Sequence, residues 1–145
     1  GKLKIFMSDN HILVVNELGI EKYLASVVGS EMPAKWPLEA LKAQAIASRT
    51  YALKQKGNPL YDIDSTNMNQ VYIGLEAGTY KTKRAVNSTR SLVLTYENKL
   101  INALFHSSSA GMTENSQDVW KNKYPYLSSV KDFDKNNPKN STKNE

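Results

Sequence analysis

The chain has 145 residues, with 19 Lys and Arg against 14 Asp and Glu, a formal net charge of +5, no cysteine and 40% hydrophobic residues. That length suits one compact domain with a core of its own, and the missing sulfur excludes disulfide scaffolds, CxxC redox chemistry and cysteine-ligated zinc. Only three of the cations are Arg (Arg49, Arg84, Arg90), whereas phosphate and base recognition favours its planar fork. With no aromatic-basic strip either, no nucleic-acid partner is expected, and the positive field suits an anionic surface or polymer. No apolar run approaches the roughly 18 to 20 residues of a membrane helix, and Gly1-Lys2-Leu3 opens a patterned segment rather than a signal peptide.

In chain order, Leu3, Ile5 and Met7 alternate along a first strand, Asp9-Asn10 supplies turn chemistry, and Ile12 to Val15 return as its partner. The period then changes to that of a helix, with Ile20, Tyr23, Leu24, Val27 and Val28 on one stripe and Gly29 and Pro33 bracketing its end. A second helix starts at Pro37, carries Leu38, Leu41, Ala45 and Ala52 on one face, and is closed by Gly57-Asn58-Pro59. Its alanines keep it thin enough for a neighbour to approach closely. A polar loop leads to a short strand at Gln70 to Ile73, and Thr79 caps a short helix reaching about Thr89. Leu92, Leu94 and Tyr96 then alternate inward, and Ile101, Ala103 and Phe105 return after a turn at Glu97-Asn98 or Asn98-Lys99. A small-residue loop, His106 to Gly111, precedes Met112 to Asp118 and Trp120. The expected fold is α+β: two adjacent helices packed with antiparallel hairpins in a single compact domain over residues 1–130. The polar stretch 131–145 is expected to be a flexible tail.

The candidate chemistry begins at Glu31. Continuing the first helix from Ile20, position 31 lands about 20° from the start, on the apolar stripe. A carboxylate there loses solvation, which is what a group that must hold a proton near neutral pH requires. The alternative is that the helix ends at Gly29 and Glu31 is an exposed loop or capping residue. On the second helix, Lys42 and Arg49 are seven residues apart and so face nearly the same way. They either hold an anionic or hydroxyl-rich ligand, or both reach solvent, or Arg49 pairs structurally with Glu31 or Glu39. His106 beside three serines lacks a nucleophile elbow, so a hydrogen-bonding role for His106 and Ser107 is the more modest reading. His11 is the only other histidine, and no metal-ligand spacing is present.

Two blocks carry a resemblance: Glu21 to Pro33, containing Val27-Val28-Gly29-Ser30-Glu31-Met32-Pro33, and Trp36 to Ala52, containing Ala43-Gln44-Ala45-Ile46-Ala47-Ser48-Arg49. They are followed in order by Asn69-Gln70-Val71-Tyr72-Ile73-Gly74, Phe105 to Gly111, Thr113-Glu114-Asn115-Ser116, Trp120 and Pro125-Tyr126-Leu127. From Leu18 to Val130 the chain resembles the stage II sporulation protein D family, or SpoIID/LytB domain. The resemblance implies an exported, extracytoplasmic enzyme of the cell wall or periplasm: a lytic transglycosylase acting on peptidoglycan glycan strands without a cofactor. It implies Glu31 as the single acid/base, with Lys42, Arg49, Gln70, Tyr72, His106 and Ser107 as substrate-binding residues. The implied setting is a monomer, membrane-anchored in its full-length form, with a partner amidase or wall hydrolase. The family name also admits a non-catalytic wall-binding module that enhances such a partner. Asn69 stands where the family commonly has Asp and Ala110 where Gly is common, and the Cys and His zinc site of some relatives has no Cys here, so no metal is expected.

Overall fold

The computed structural model describes residues 1–8, 11–55, 57, 59–66 and 68–132. Period-two patterning gives β1 (Lys2–Ser8), paired antiparallel with β2 (His11–Glu17) from Lys2↔Glu17 to Ser8↔His11. The expected turn at Asp9-Asn10 lies outside the described residues. Directly opposed residues share a face, so Leu3, Ile5, Met7, Ile12 and Val14 form one apolar surface, and each is more than half exposed. The opposite face, with Phe6, Leu13 and Val15, is the half-buried one.

Helix α1 (Ile20–Glu31) buries Leu24, Val27 and Val28 completely. Gly29 does not end it. A Cβ at this position would collide with the carbonyl of Ala77, so the glycine admits the 3₁₀ turn Leu75–Ala77 against the helix. Ser26 donates from Oγ to the Gly74 carbonyl at 2.6 Å and fixes the same approach. The helix stops at Met32, whose backbone is extended ahead of Pro33.

Helix α2 (Leu38–Lys54), with Pro37 at its N-cap, packs on α1 through Leu41 and Ala45. Helix α3 (Tyr80–Ser88) begins as expected at Thr79, whose Oγ1 accepts from the Thr82 N–H. Ala85 and Val86 complete one cluster with Leu24, Val28, Leu41 and Ala45, so the core is a three-helix contact. Thr82, fully buried, donates from Oγ1 to the Ala25 carbonyl at 3.2 Å, which satisfies a hydroxyl that burial would otherwise penalise.

Two expectations are corrected. Gln70 to Ile73 is no strand, because its polar groups bond to side chains and to a loop carbonyl instead of a neighbouring strand. The later hairpin is reduced to β3 (Thr95–Tyr96) and β4 (Lys99–Leu100), joined by Glu97 and Asn98 at φ 49° and 59°, the twist a two-residue hairpin turn needs. Leu92, Leu94 and Tyr96 are exposed rather than inward, while Ala103 is buried. Thr50 Oγ1 accepts from the Leu94 N–H and Lys54 donates to the Leu100 carbonyl, so α2 grips this hairpin by its backbone.

The architecture is α+β. By contact the chain divides into two units, Gly1–Ala103 and Leu104–Glu145. In the second, α4 (Ser116–Trp120) is held by a returning segment: Thr113 donates to the Val130 carbonyl, Ser116 to that of Leu127, and Asp132 to that of Gly111. Met112 pairs with Lys131 across this bridge and Asp132 is hydrogen-bonded, so the expected tail starts in an ordered contact; the rest of it lies outside the described residues. Among the described residues no helix is long and apolar enough to cross a membrane.

Candidate active site

Glu31 is the last residue of α1, and it is half-buried. Because the helix continues through Gly29, the carboxylate does fall on the end of the apolar stripe. Its Oε1 accepts the backbone N–H of Val71 at 2.8 Å. Oε2 has no hydrogen-bond partner among the described residues.

The segment that presents Val71 is fastened on both sides. Gln70 is completely buried, donating from Nε2 to the Ser48 carbonyl at 3.2 Å and accepting at Oε1 from the Tyr23 hydroxyl at 3.1 Å. Tyr72 stacks on Tyr23, with ring centroids 5.4 Å apart, and its hydroxyl accepts from Asn16 Nδ2 at 2.9 Å. Tyr23 therefore touches both neighbours of Val71. Burial pushes the Tyr23 phenol well above the usual tyrosine range, and the nearby Tyr51, Glu31, Asp64 and Tyr72 add to the shift.

Tyr23 and Tyr72 also line one wall of a cleft of about 760 Å³, faced by Leu13 and Val15 of β2 and by the Tyr61 to Ser65 loop. The loop is braced internally. Asp64 accepts from the side chain and backbone of Thr66 and from Asn69, contacts that hold its carboxyl below the usual range. Asn69 bonds at both ends, since its Oδ1 accepts from the Tyr51 hydroxyl at 3.0 Å. An Asp there would face Asp64 as a second carboxylate and could not donate to it.

Arg49 does not face the cleft. It is 1% exposed and paired with Glu21 through two bonds, Nε to Oε1 at 3.2 Å and Nη2 to Oε2 at 2.7 Å. Its remaining donors reach the carbonyls of Ala45, Val86 and Leu92. A guanidinium so occupied ties α1, α2 and the end of α3 together, and neither Glu31 nor Glu39 is its partner. Gln70, with no exposed surface and a bond at each end of its amide, braces this segment in the structure and presents no surface to a ligand. Lys42 is partly exposed and pairs with Glu39, 2.8 Å away. Tyr72 keeps access to the cleft. His106 and Ser107 belong to the second unit and are exposed there.

Sequence patterning missed Tyr23, Asn16, Glu21 and Ser48. Tyr23 sits at a core position of the helical stripe and reads as packing; the one available signal is that a buried tyrosine must place its hydroxyl somewhere polar.

Glu31 is not itself among the residues that line the cleft; it is linked to the cleft wall through the Val71 amide, next in the chain to Tyr72. One half-buried carboxylate, presented by a helix end and so linked to an aromatic-walled cleft, suits a protein acting on a polar chain-like ligand by single-group acid/base chemistry. The family model described as Stage II sporulation protein (SpoIID) matches residues 8–96, more than half of the chain. The chain belongs to the SpoIID family. It is 39% identical over 157 aligned residues to the stage II sporulation protein D of Bacillus amyloliquefaciens, covering 93% of this chain and 44% of that protein. It is 39% identical over 134 residues to an uncharacterized protein of Brachyspira hyodysenteriae, covering 90% and 36% respectively. To the amidase enhancer of Bacillus subtilis it is 44% identical over 109 residues, 75% of this chain and 15% of the relative. The chain thus spans less than half the length of these relatives.

Proposed function

We propose that this domain works at the cell wall, outside the cytoplasm, as a peptidoglycan lytic transglycosylase with Glu31 as its acid/base. In that reaction the protonated carboxyl gives its proton to the glycosidic oxygen as the bond from C1 of N-acetylmuramic acid to N-acetylglucosamine breaks. The carboxylate left behind takes the proton of the C6 hydroxyl as that oxygen bonds to C1, closing a 1,6-anhydro ring and restoring the acid. Protons balance, and no water enters. The nucleophile belongs to the substrate, so one carboxyl replaces the two of ordinary glycoside hydrolysis.

The observation that carries this reading is the placement of Glu31: half-buried at the end of an apolar helix face, with one oxygen fixed by the Val71 amide and the other unbonded among the described residues. A fixed oxygen sets the direction of the other, and orientation is a large part of proton-transfer catalysis. Tyr72 supplies an aromatic face at the cleft and Lys42 a partly exposed cation for an anionic wall polymer. His106 and Ser107 join the proposal as exposed hydrogen-bonding groups, while Arg49 and Gln70 act by positioning.

The test is mass spectrometry of products from intact and peptide-stripped glycan strands. Wild-type protein is expected to release anhydromuramoyl ends, and Glu31→Gln to lower release at least 100-fold while binding glycan as before. Equal release by both proteins overturns the proposal. The relative named amidase enhancer supports a second reading, a wall-binding module that assists a partner amidase without cutting. Glycan retention with no product from either substrate, together with stimulation of an added amidase, would select it.

A further inference from the structure

We infer that Tyr23 is the positioning residue of the Glu31 site, acting through Val71; its consequence for turnover rests on the reading of Glu31 as acid/base. The Val71 N–H that holds Glu31 Oε1 is flanked by two residues, and both are fastened to Tyr23. On one side the fastening is directional. The Ser48 carbonyl can only accept, so it fixes Gln70 Nε2 as the end that faces it and leaves Oε1 toward Tyr23. Oε1 can only accept in turn, so the Tyr23 hydroxyl must donate and must stay protonated. The other neighbour, Tyr72, lies flat on the Tyr23 ring, with an angle of 24° between the planes.

The two contacts stop different movements. The Gln70 bond prevents rotation of the segment about its own axis, which would swing the Val71 N–H away from Glu31. The Tyr72 stack sets how far the segment stands from α1, on which Tyr23 and Glu31 lie eight residues apart. Since Tyr23 and Glu31 share one helix, the helix carries both the carboxyl and the gauge for its anchoring amide. No strand pairing restrains residues 70–73, so these side-chain contacts do the work that a sheet would otherwise do.

The experiment compares wild type, Tyr23→Phe, Tyr72→Phe, Glu31→Ala and Glu31→Gln by backbone amide exchange and by glycan turnover. Tyr23→Phe keeps the ring stack and removes only the hydroxyl. Its Val71 amide is expected to exchange at least tenfold faster than in wild type, approaching that of Glu31→Ala, while core amides of α2 change less than threefold. Tyr72→Phe, which loses only the Asn16 bond, is expected to shift Val71 by less than threefold. Turnover by Tyr23→Phe is expected to fall at least tenfold in kcat with KM within twofold. Unchanged protection of Val71 in Tyr23→Phe overturns the inference. Lost protection combined with full activity of Glu31→Gln instead overturns the acid/base reading and leaves the positioning intact. Should Tyr23→Phe fail to fold, the wild-type protein supplies the measurement: a slowly exchanging Tyr23 hydroxyl proton, with a nuclear Overhauser contact to Gln70, is expected. A hydroxyl exchanging freely with bulk water would overturn the inference.

Discussion

At the scale of single residues, Arg49 shows how a charged group in a recognisable motif can serve the fold. Its guanidinium, buried and bonded to a carboxylate and three carbonyls, is compensated at almost every donor. Removing one partner of a buried pair leaves the other charge without compensation, at a cost of about 3 to 5 kcal/mol. Glu21 keeps 20% of its side-chain surface, so the lower end of that range applies. Arg49→Met is expected to lower unfolding free energy by about 3 kcal/mol in urea titrations. Arg49→Lys should recover only a minor part, because an ammonium cannot reproduce the fork. Direct sugar binding by Arg49 predicts instead a stable variant with weakened glycan affinity. Sequence spacing offered a structural ion pair for Arg49 as one alternative; what it could not supply was the partner, since Glu21 lies on another helix, 28 positions away.

At the scale of elements, the three helices of the core were legible, whereas α4 and the connections were not. Five apolar residues at helical spacing defined α1, and Thr79 defined the start of α3, because those signals are local. The end of α1 was not legible. Glycine ordinarily marks a helix end, but Gly29 is there for the Ala77 carbonyl, a contact made with a turn nearly fifty residues later. Substituting Gly29→Ala separates the two explanations. A better helix former gains about 0.5 to 1 kcal/mol, whereas forcing a Cβ into packed backbone costs about 1 to 3 kcal/mol. Net destabilisation of about 1 to 2 kcal/mol is expected from chemical denaturation, with faster amide exchange in the Leu75–Ala77 turn. The strand expected at Gln70 to Ile73 failed for the opposite reason: its residues favour extension, but extension becomes a strand only beside a pairing partner. The candidate site was half legible on the same grounds. Glu31 follows from helical periodicity, whereas the Val71 amide that orients it is a backbone group and has no residue type to betray it.

Across the whole molecule, ionisation of the partly buried Tyr23 and Tyr51 couples the site to stability. Burial raises the Tyr23 phenol, and Tyr51 shifts in the same direction through burial and the nearby Asp64. In the unfolded chain a tyrosine titrates near pH 10, at about 10 by the usual reference value. The protonated phenols therefore contribute fully below about pH 10, and that contribution is lost as pH rises toward the higher native values, because the unfolded state releases its protons first. Urea midpoints are expected to hold from pH 7 to 9 and fall steeply above 10, and Tyr23→Phe should flatten that fall while lowering the plateau. The net charge of +5 says nothing of this; composition reported a mild attraction to anionic polymer, and the fold assigned one of its rare arginines to the interior. That burial also orders events during synthesis. The carbonyls that complete the Arg49 shell belong to Val86 and Leu92, so when α1 and α2 first leave the ribosome their shared cation has only part of its final solvation. The two helices can meet early, but the acceptor shell of their shared cation is complete only once residues 86 and 92 are in place.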